Sequence, residues 1–481
     1  MPPPPLSGKS PGIGGGGLSC KGLGNKIIDD DSWKPSSVVV VVAADRGIMI
    51  SSFNDEVLLN ILRRLSPAPH YALVCKRWMR LHGQLRLSIK VHDWRFLESG
   101  RMVFRFPNLT DVDLSLACSC IVTSSSSSTP RGENNNKQSS SAAILLTHQG
   151  LTVQLGYDAV DPSSIERCIE AQQLSPAQLD KGLKLLADAY PGLQRLCVVD
   201  TAGIARIAQN CRLLQELELY QCTDETLRAV SACKNLQIVR LIGSVTGFYH
   251  CTFTDIGLTI MSQSFRRLVK LELSGCEASY EGISAIGKCC LMLEELTLSN
   301  KGFYEGWVAA LSFLTCLKTL RLEGCKQIDR NPGPVQLLGR CSAIERLHLE
   351  RCDLRDRAGF NALLTVCSVV KELEFQDCWG LDDETLSLAA NCKRVKLLVL
   401  EGCSLVTTSG VDTLVQAFRD LQRLRVTFCD NIRDSELSPA LCDRVLTLKE
   451  FSWRPDTKSV LAAGLAGTGV GQRGGRFFRR A

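Results

Sequence analysis

Cys341 and Cys352 bracket the segment CSAIERLHLERC, one pair among 23 cysteines in a chain of 481 residues. Two thiols at this distance in sequence have three chemistries open to them: a disulfide, a metal site or a redox centre. A disulfide framework belongs to small secreted chains. This one is long and shows no signal peptide, so the expected compartment is reducing and the thiols free. Zinc fits poorly, because no CxxC occurs and no two of the six histidines lie three to five positions apart. Gly12, Gly14 and Gly17 satisfy GxGxxG, yet no strand precedes them and no helix follows. No nucleophile stands beside a base in sequence. We therefore expect no catalytic residue, no metal and no cofactor.

Composition narrows the classes further. The longest aliphatic run, Val38 to Ala44, is far shorter than a membrane span of about 20 residues. A formal charge of +6 over the whole length is too weak to suggest nucleic acid. The 45% hydrophobic content can fill a sizeable core.

What positions the cysteines is a repeat. The frame of 341–352 returns as CRLLQELELYQC (211–222), CSVVKELEFQDC (367–378) and CKRVKLLVLEGC (392–403). Frames lacking the first cysteine end at Cys276, Cys325 and Cys429, and degenerate copies fill the gaps from residue 108 onward. From Cys325 the closing cysteines fall at 352, 378, 403 and 429, at spacings of 27, 26, 25 and 26 residues. L-x-x-L-x-L-x-x-C at this period is the leucine-rich-repeat signature. Its Leu-x-Leu is a short strand of period two, and segments such as SGVDTLVQAF (409–418) have helical spacing. The expected fold is α/β: a solenoid of about eleven strands in a curved parallel sheet, with helices on the convex side. Cysteine at the turn is expected to be a small buried donor.

Upstream, SSFNDEVLLNILRRL (51–65) places apolar residues at 57, 58, 61, 62 and 65, one face of a helix. Asn54 is the expected N-cap, and Asp55 and Glu56 suit the positive end of the helix dipole. After the prolines of SPAPH, YALVCKRWMRLHGQL (71–85) is a second amphipathic stretch.

FNDEVLLNILRRL and LVCKRW resemble the F-box, and their place before cysteine-containing repeats is similar to plant-type F-box/leucine-rich-repeat proteins. The segment 91–114 is similar to the junction in that plant group. The resemblance implies a non-catalytic substrate receptor of a Skp-cullin-F-box ubiquitin ligase, in the nucleus and/or cytoplasm. It would dock a Skp-type adaptor, and through it a cullin, by Phe53, Asn54, Val57, Leu58, Ile61, Leu62, Leu65, Val74, Cys75 and Trp78, some of which must serve the core of the domain. A scaffold unconnected with ubiquitin and a small-molecule hormone co-receptor share this architecture and stay open.

The expected domains are a disordered 1–50, the helical domain at 51–92, repeats over 93–455 with a disordered Ser/Asn-rich insertion at 119–141, and a flexible basic tail at 456–481. Outward strand positions form columns, the middle one reading Glu218, Arg240, Glu272, Thr297, Arg321, His348, Glu374, Val399 and Arg425. Their mixed signs suit a protein target rather than a phosphate or nucleic acid. Candidate target contacts are Arg321, Arg346, His348, Glu350, Glu372 and Glu374. Aromatics in the irregular loops join them: Phe248, Tyr249, Phe303, Tyr304 and Trp307. Trp379 and Trp453 are expected to close the core or its cap.

Overall fold

Thirteen strands run parallel in sequence order, from Ser88–Lys90 to Glu450–Arg454, in a single sheet. The structure is a computed structural model that describes residues 53–65, 71–72, 74–115, 117, 174–199, 202–243, 253–276, 278–299 and 305–455, with the backbone of 144–147 and 150–153. The expectations for 1–50, 119–141 and 456–481 lie outside these residues.

Alternation dictates the strands. In Arg346–Glu350 and Glu372–Gln376, Leu347, Leu349, Leu373 and Phe375 turn inward and are wholly buried, while the residues between them face out. Frames aligned on the closing cysteine predict the register, and the sheet has it: Arg321 pairs with His348, His348 with Glu374, Glu374 with Val399, and Val399 with Arg425. The sheet exceeds the expected eleven strands by one at each end. Ser88–Lys90, inside the span expected for the helical domain, offers one inward residue, Ile89. Glu450–Arg454 turns Phe451 and Trp453 inward and has no closing cysteine. Neither matches a leucine frame.

The turn explains the cysteine. Each of Cys222, Cys276, Cys325, Cys352, Cys378, Cys403 and Cys429 follows a residue of positive φ: Gln221, Gly275, Gly324, Arg351, Asp377, Gly402 and Phe428. In that conformation the backbone N–H donates to the last carbonyl of the next strand, as Arg351 does to Gln376 at 2.8 Å and Asp377 to Glu401 at 2.7 Å. The chain then turns inward, and the thiol of Cys352 donates to the Leu322 carbonyl at 3.4 Å and that of Cys378 to Leu349 at 3.3 Å. The corner is buried, and the thiol is a small, weak donor that adds a second contact to a carbonyl of the preceding strand. The opening cysteines repeat the device, with Cys211 donating to Tyr190 at 3.4 Å and Cys341 to Leu314 at 3.5 Å.

Helices are tied to one another by a second ladder. Asp255, first residue of helix Asp255–Ser264, accepts from the backbone N–H groups of Ser279 and Gly282 at 2.9 and 3.1 Å, capping the helix that follows. Asp224 does the same for Thr254 and Gly257, at 2.8 and 3.1 Å. Gly257 must be glycine, since a Cβ there would lie 2.2 Å from the Asp224 carboxylate.

Candidate partner-binding surfaces

Two surfaces answer to the sequence-derived candidates. The first is a helix pair. Asn54 caps helix α1 (Asp55–Arg64), accepting from the Val57 N–H at 2.9 Å, and the Cys75 thiol caps α2 (Lys76–Leu85). Arg77 and Arg80 of α2 donate to the Asp55 carboxylate at 2.7 and 2.9 Å, and Arg77 also to the Phe53 carbonyl at 2.6 Å. The hydrogen bond from Arg77 holds the Asp55 carboxyl below its ordinary range.

The apolar face of α1 divides in two. Leu58 and Leu62 are buried against Leu81, with Phe53 and Trp78 packed around them. They are core residues, and as adaptor contacts they are corrected: one helix cannot turn the same side chain both into its own domain and outward. Val57, Ile61 and Leu65, one turn apart, are 39, 37 and 37% exposed, and Val74 is exposed beside α2. Cys75 is exposed and Asn54 occupied as the cap.

The helix pair joins the repeats through α2. Gly83 packs so closely on Arg105 that a Cβ would stand 2.1 Å from the Arg105 carbonyl oxygen. Next to it His82 is buried, and burial, with Arg86 and Arg105 adding, pushes its imidazole down to about 4. Stability held by neutral His82 is thus present above the unfolded value near 6.5 and is lost as pH falls from there toward 4. Between pH 7 and pH 5 the loss is about 2 kcal/mol, at ~1.4 kcal/mol per unit. Urea unfolding followed by circular dichroism should show the fall, and His82→Gln should remove most of it. An equal acid sensitivity in His82→Gln would place the cause elsewhere.

The second surface is the outward face of the sheet, where the charged columns pair across strands. Arg240 sits between Glu218 and Glu272, at 3.1 and 3.2 Å. Arg346 and Arg423 reach Glu372 from opposite sides, at 3.3 and 2.6 Å. His348 Nδ1 lies 3.0 Å from Glu374, whose carboxyl is held low by that hydrogen bond and by the fields of Arg321 and Arg425. Glu350 pairs with Arg351 at 2.8 Å, and Arg321 approaches Glu323 at 3.7 Å. Over the last strands the face dips into a hollow of about 210 Å³, floored by Leu397 and Val399. Part of its wall, Glu450 and Ser452, comes from the strand that the leucine frame misses.

The loop aromatics fare differently. Phe248, Tyr249, Phe303 and Tyr304 lie outside the described residues. Trp307 is corrected: it opens a short helix, is wholly buried, and donates from Nε1 to the Ile328 carbonyl at 2.5 Å. Trp379 is the reverse case, 61% exposed beside Leu405 at a hollow of about 430 Å³. Trp453 is buried as expected. Among the described residues no group of His, Cys, Asp and Glu has the makings of a metal site, and no helix is long and apolar enough to cross a membrane.

No family model matches the chain. It is similar to a Caenorhabditis elegans protein, EEED8.10, whose name assigns it to RNA binding, with 27% identity over 179 residues that cover 35% of this chain and 23% of that protein. It is also similar to human F-box/LRR-repeat protein 12, with 26% identity over 208 residues, 37% of this chain and 62% of the relative. The chain thus spans less than two thirds of either. Among solved structures, an internalin of Listeria monocytogenes aligns at 14% identity and a TM-score of 0.34 over 59% of this chain and 76% of that one. Rad7 in the yeast Rad7–Elc1 complex structure aligns at 15% and 0.30, over 55% and 76%.

Proposed function

We propose that this leucine-rich-repeat protein is a substrate receptor of a Skp-cullin-F-box ubiquitin ligase, of the plant-type cysteine-containing group. The helix pair docks the Skp-type adaptor, the adaptor links it to a cullin, and the sheet face holds the target protein while a separately recruited enzyme transfers ubiquitin. The chain itself is a non-catalytic subunit, resident in the nucleus and/or cytoplasm. The similarity to an F-box/LRR-repeat protein supports this reading. The observation that carries it is the stripe of Val57, Ile61 and Leu65, which faces solvent while the neighbouring stripe fills the domain's own core. Exposed apolar residues in a row at helical spacing are suited to a partner helix.

Co-expression with a Skp-type adaptor tests it. The unmodified chain should retain the adaptor, and Val57→Glu with Ile61→Glu should lose it. Each apolar contact is worth about 1.5 kcal/mol or more, so the pair should weaken binding by a factor of roughly 100. Both residues are partly exposed, so the circular dichroism spectrum should not change. Failure of the unmodified chain to retain any adaptor would sink the reading.

A further inference from the structure

The geometry points to a basic rim of the repeat array as a docking surface for an acidic, amphipathic segment of a partner protein. This inference is independent of the receptor reading. The rim is the row of turns that lead into successive strands, and backbone bonds of 2.8 Å fix its register: Gln237 donates to Gln215, Val269 to Gln237 and Glu294 to Val269. Two and three residues before Gln215, Gln237, Val269 and Glu294 stand Leu213 and Arg212, Asn235 and Lys234, Arg267 and Arg266, and Met292 and Leu291. Successive turns are about 5 Å apart, the spacing of parallel strands. Arg212, Lys234 and Arg266 are thus consecutive exposed cations, and none of them enters an ion pair among the described residues. Asn235 donates to the Arg212 carbonyl at 2.9 Å and Arg267 to Asn235 at 3.0 Å, which ties the row together.

Carboxylates at this end of the neighbouring strands and helices are taken by other groups. Asp188 accepts from Arg206 and Asn210 at 3.0 and 2.8 Å, Glu216 pairs with Arg195 at 3.4 Å, and Glu294 and Glu295 pair with Lys318 and Lys270 at 2.8 Å. Like charges in a row without counter-charges repel and weaken the fold. Helix ends do not account for them. A cation suits the negative end of a helix, and Ile204–Asn210, Asp224–Val230 and Asp255–Ser264 end at this row. Yet Pro176–Ala189 and Arg357–Val366 have no basic residue in the last turn, and Pro191, Gly192, Ser368 and Val369 hold the corresponding rim positions. Apolar side chains flank the cations: Leu213, Leu291 and Met292 are each more than half exposed. A segment that is acidic on one side and apolar on the other complements both. A nucleic acid suits the row less, since no exposed aromatic ring lies among these turns for a base to stack on.

Selection of a random dodecapeptide display library on the full chain tests this. Selected peptides should combine Asp or Glu with Leu, Ile or Phe. A synthetic copy should bind the triple variant Arg212→Gln, Lys234→Gln, Arg266→Gln about tenfold or more weakly than the unmodified chain. The melting temperature of that variant should stay the same or rise, because repulsion is relieved. Lys393→Gln with Arg394→Gln, exposed cations farther along the same rim, should leave peptide binding unchanged. No acidic enrichment, or equal binding by the triple variant, would overturn the inference. A fall in the melting temperature of the triple variant would assign the cations to the helix ends, and an equal loss in the Lys393, Arg394 variant would assign the binding to net charge; either result refutes it. A single-stranded RNA oligonucleotide bound by the unmodified chain and lost in the triple variant, with no acidic peptide selected, would move the row to nucleic acid and overturn the inference as well.

Discussion

Trp307→Ala should destabilise the repeats by about 3–5 kcal/mol, the range for deleting a buried tryptophan. The side chain is wholly enclosed, and its loss opens a cavity between neighbouring repeats and strips the Ile328 carbonyl of its donor. A repeat array is held by nearest-neighbour contacts, so the damage should divide it: the single urea transition is expected to broaden or split. Trp307→Phe should recover most of the packing but not the hydrogen bond. Trp379→Ala, at an exposed position, should cost about 0.5 kcal/mol or less. Equal losses from the two tryptophans would refute the placement of both.

Gly83→Ala should cost about 3 kcal/mol, the upper part of the range for overpacking, because the added methyl meets backbone rather than a mobile side-chain tip. Either α2 or the helix Arg101–Arg105 must retreat by more than an ångström, and the retreat lets water in to His82 and Arg105. The helix pair should then loosen from the repeats while the distant strands persist, giving faster proteolysis between residues 65 and 110. Gly192→Ala, where a Cβ would meet nothing, is the control and should be neutral. A melting temperature unchanged in Gly83→Ala would mean that the junction is not packed as described.

The sheet was legible in the sequence because period two and a closing cysteine together fix which residues face out and where each strand stops. Even the middle column was readable, residue for residue from Glu218 to Arg425. The terminal strands were not, since Phe451 and Trp453 replace leucine in a frame that lacks its cysteine. The two tryptophans show a different limit. Both adjoin a left-handed glycine, Gly306 before Trp307 and Gly380 after Trp379. Gly306 starts a helix and turns Trp307 under it. Trp379 is pinned by its backbone instead, its N–H to Cys352 at 2.9 Å and its carbonyl to the Leu354 N–H at 2.8 Å, which leaves the ring outside. Composition cannot distinguish those cases. Helical spacing likewise located the apolar side of α1 but not its division, which depends on where Leu81 of α2 arrives.

The buried cysteines have a practical consequence. Burial lifts the thiols of Cys290, Cys378 and Cys392 to about 12, and those of Cys211 and Cys341 to about 11, whereas Cys75, Cys316 and Cys442 are exposed. An alkylating reagent needs the thiolate, so at neutral pH a buried cysteine reacts only when its own repeat opens. With a probe at nearly every turn, the rate of labelling at each position, read by peptide mass, reports how often that repeat breathes. Binding of a partner protein should then appear as a profile of slowed labelling along the chain, with no foreign group introduced.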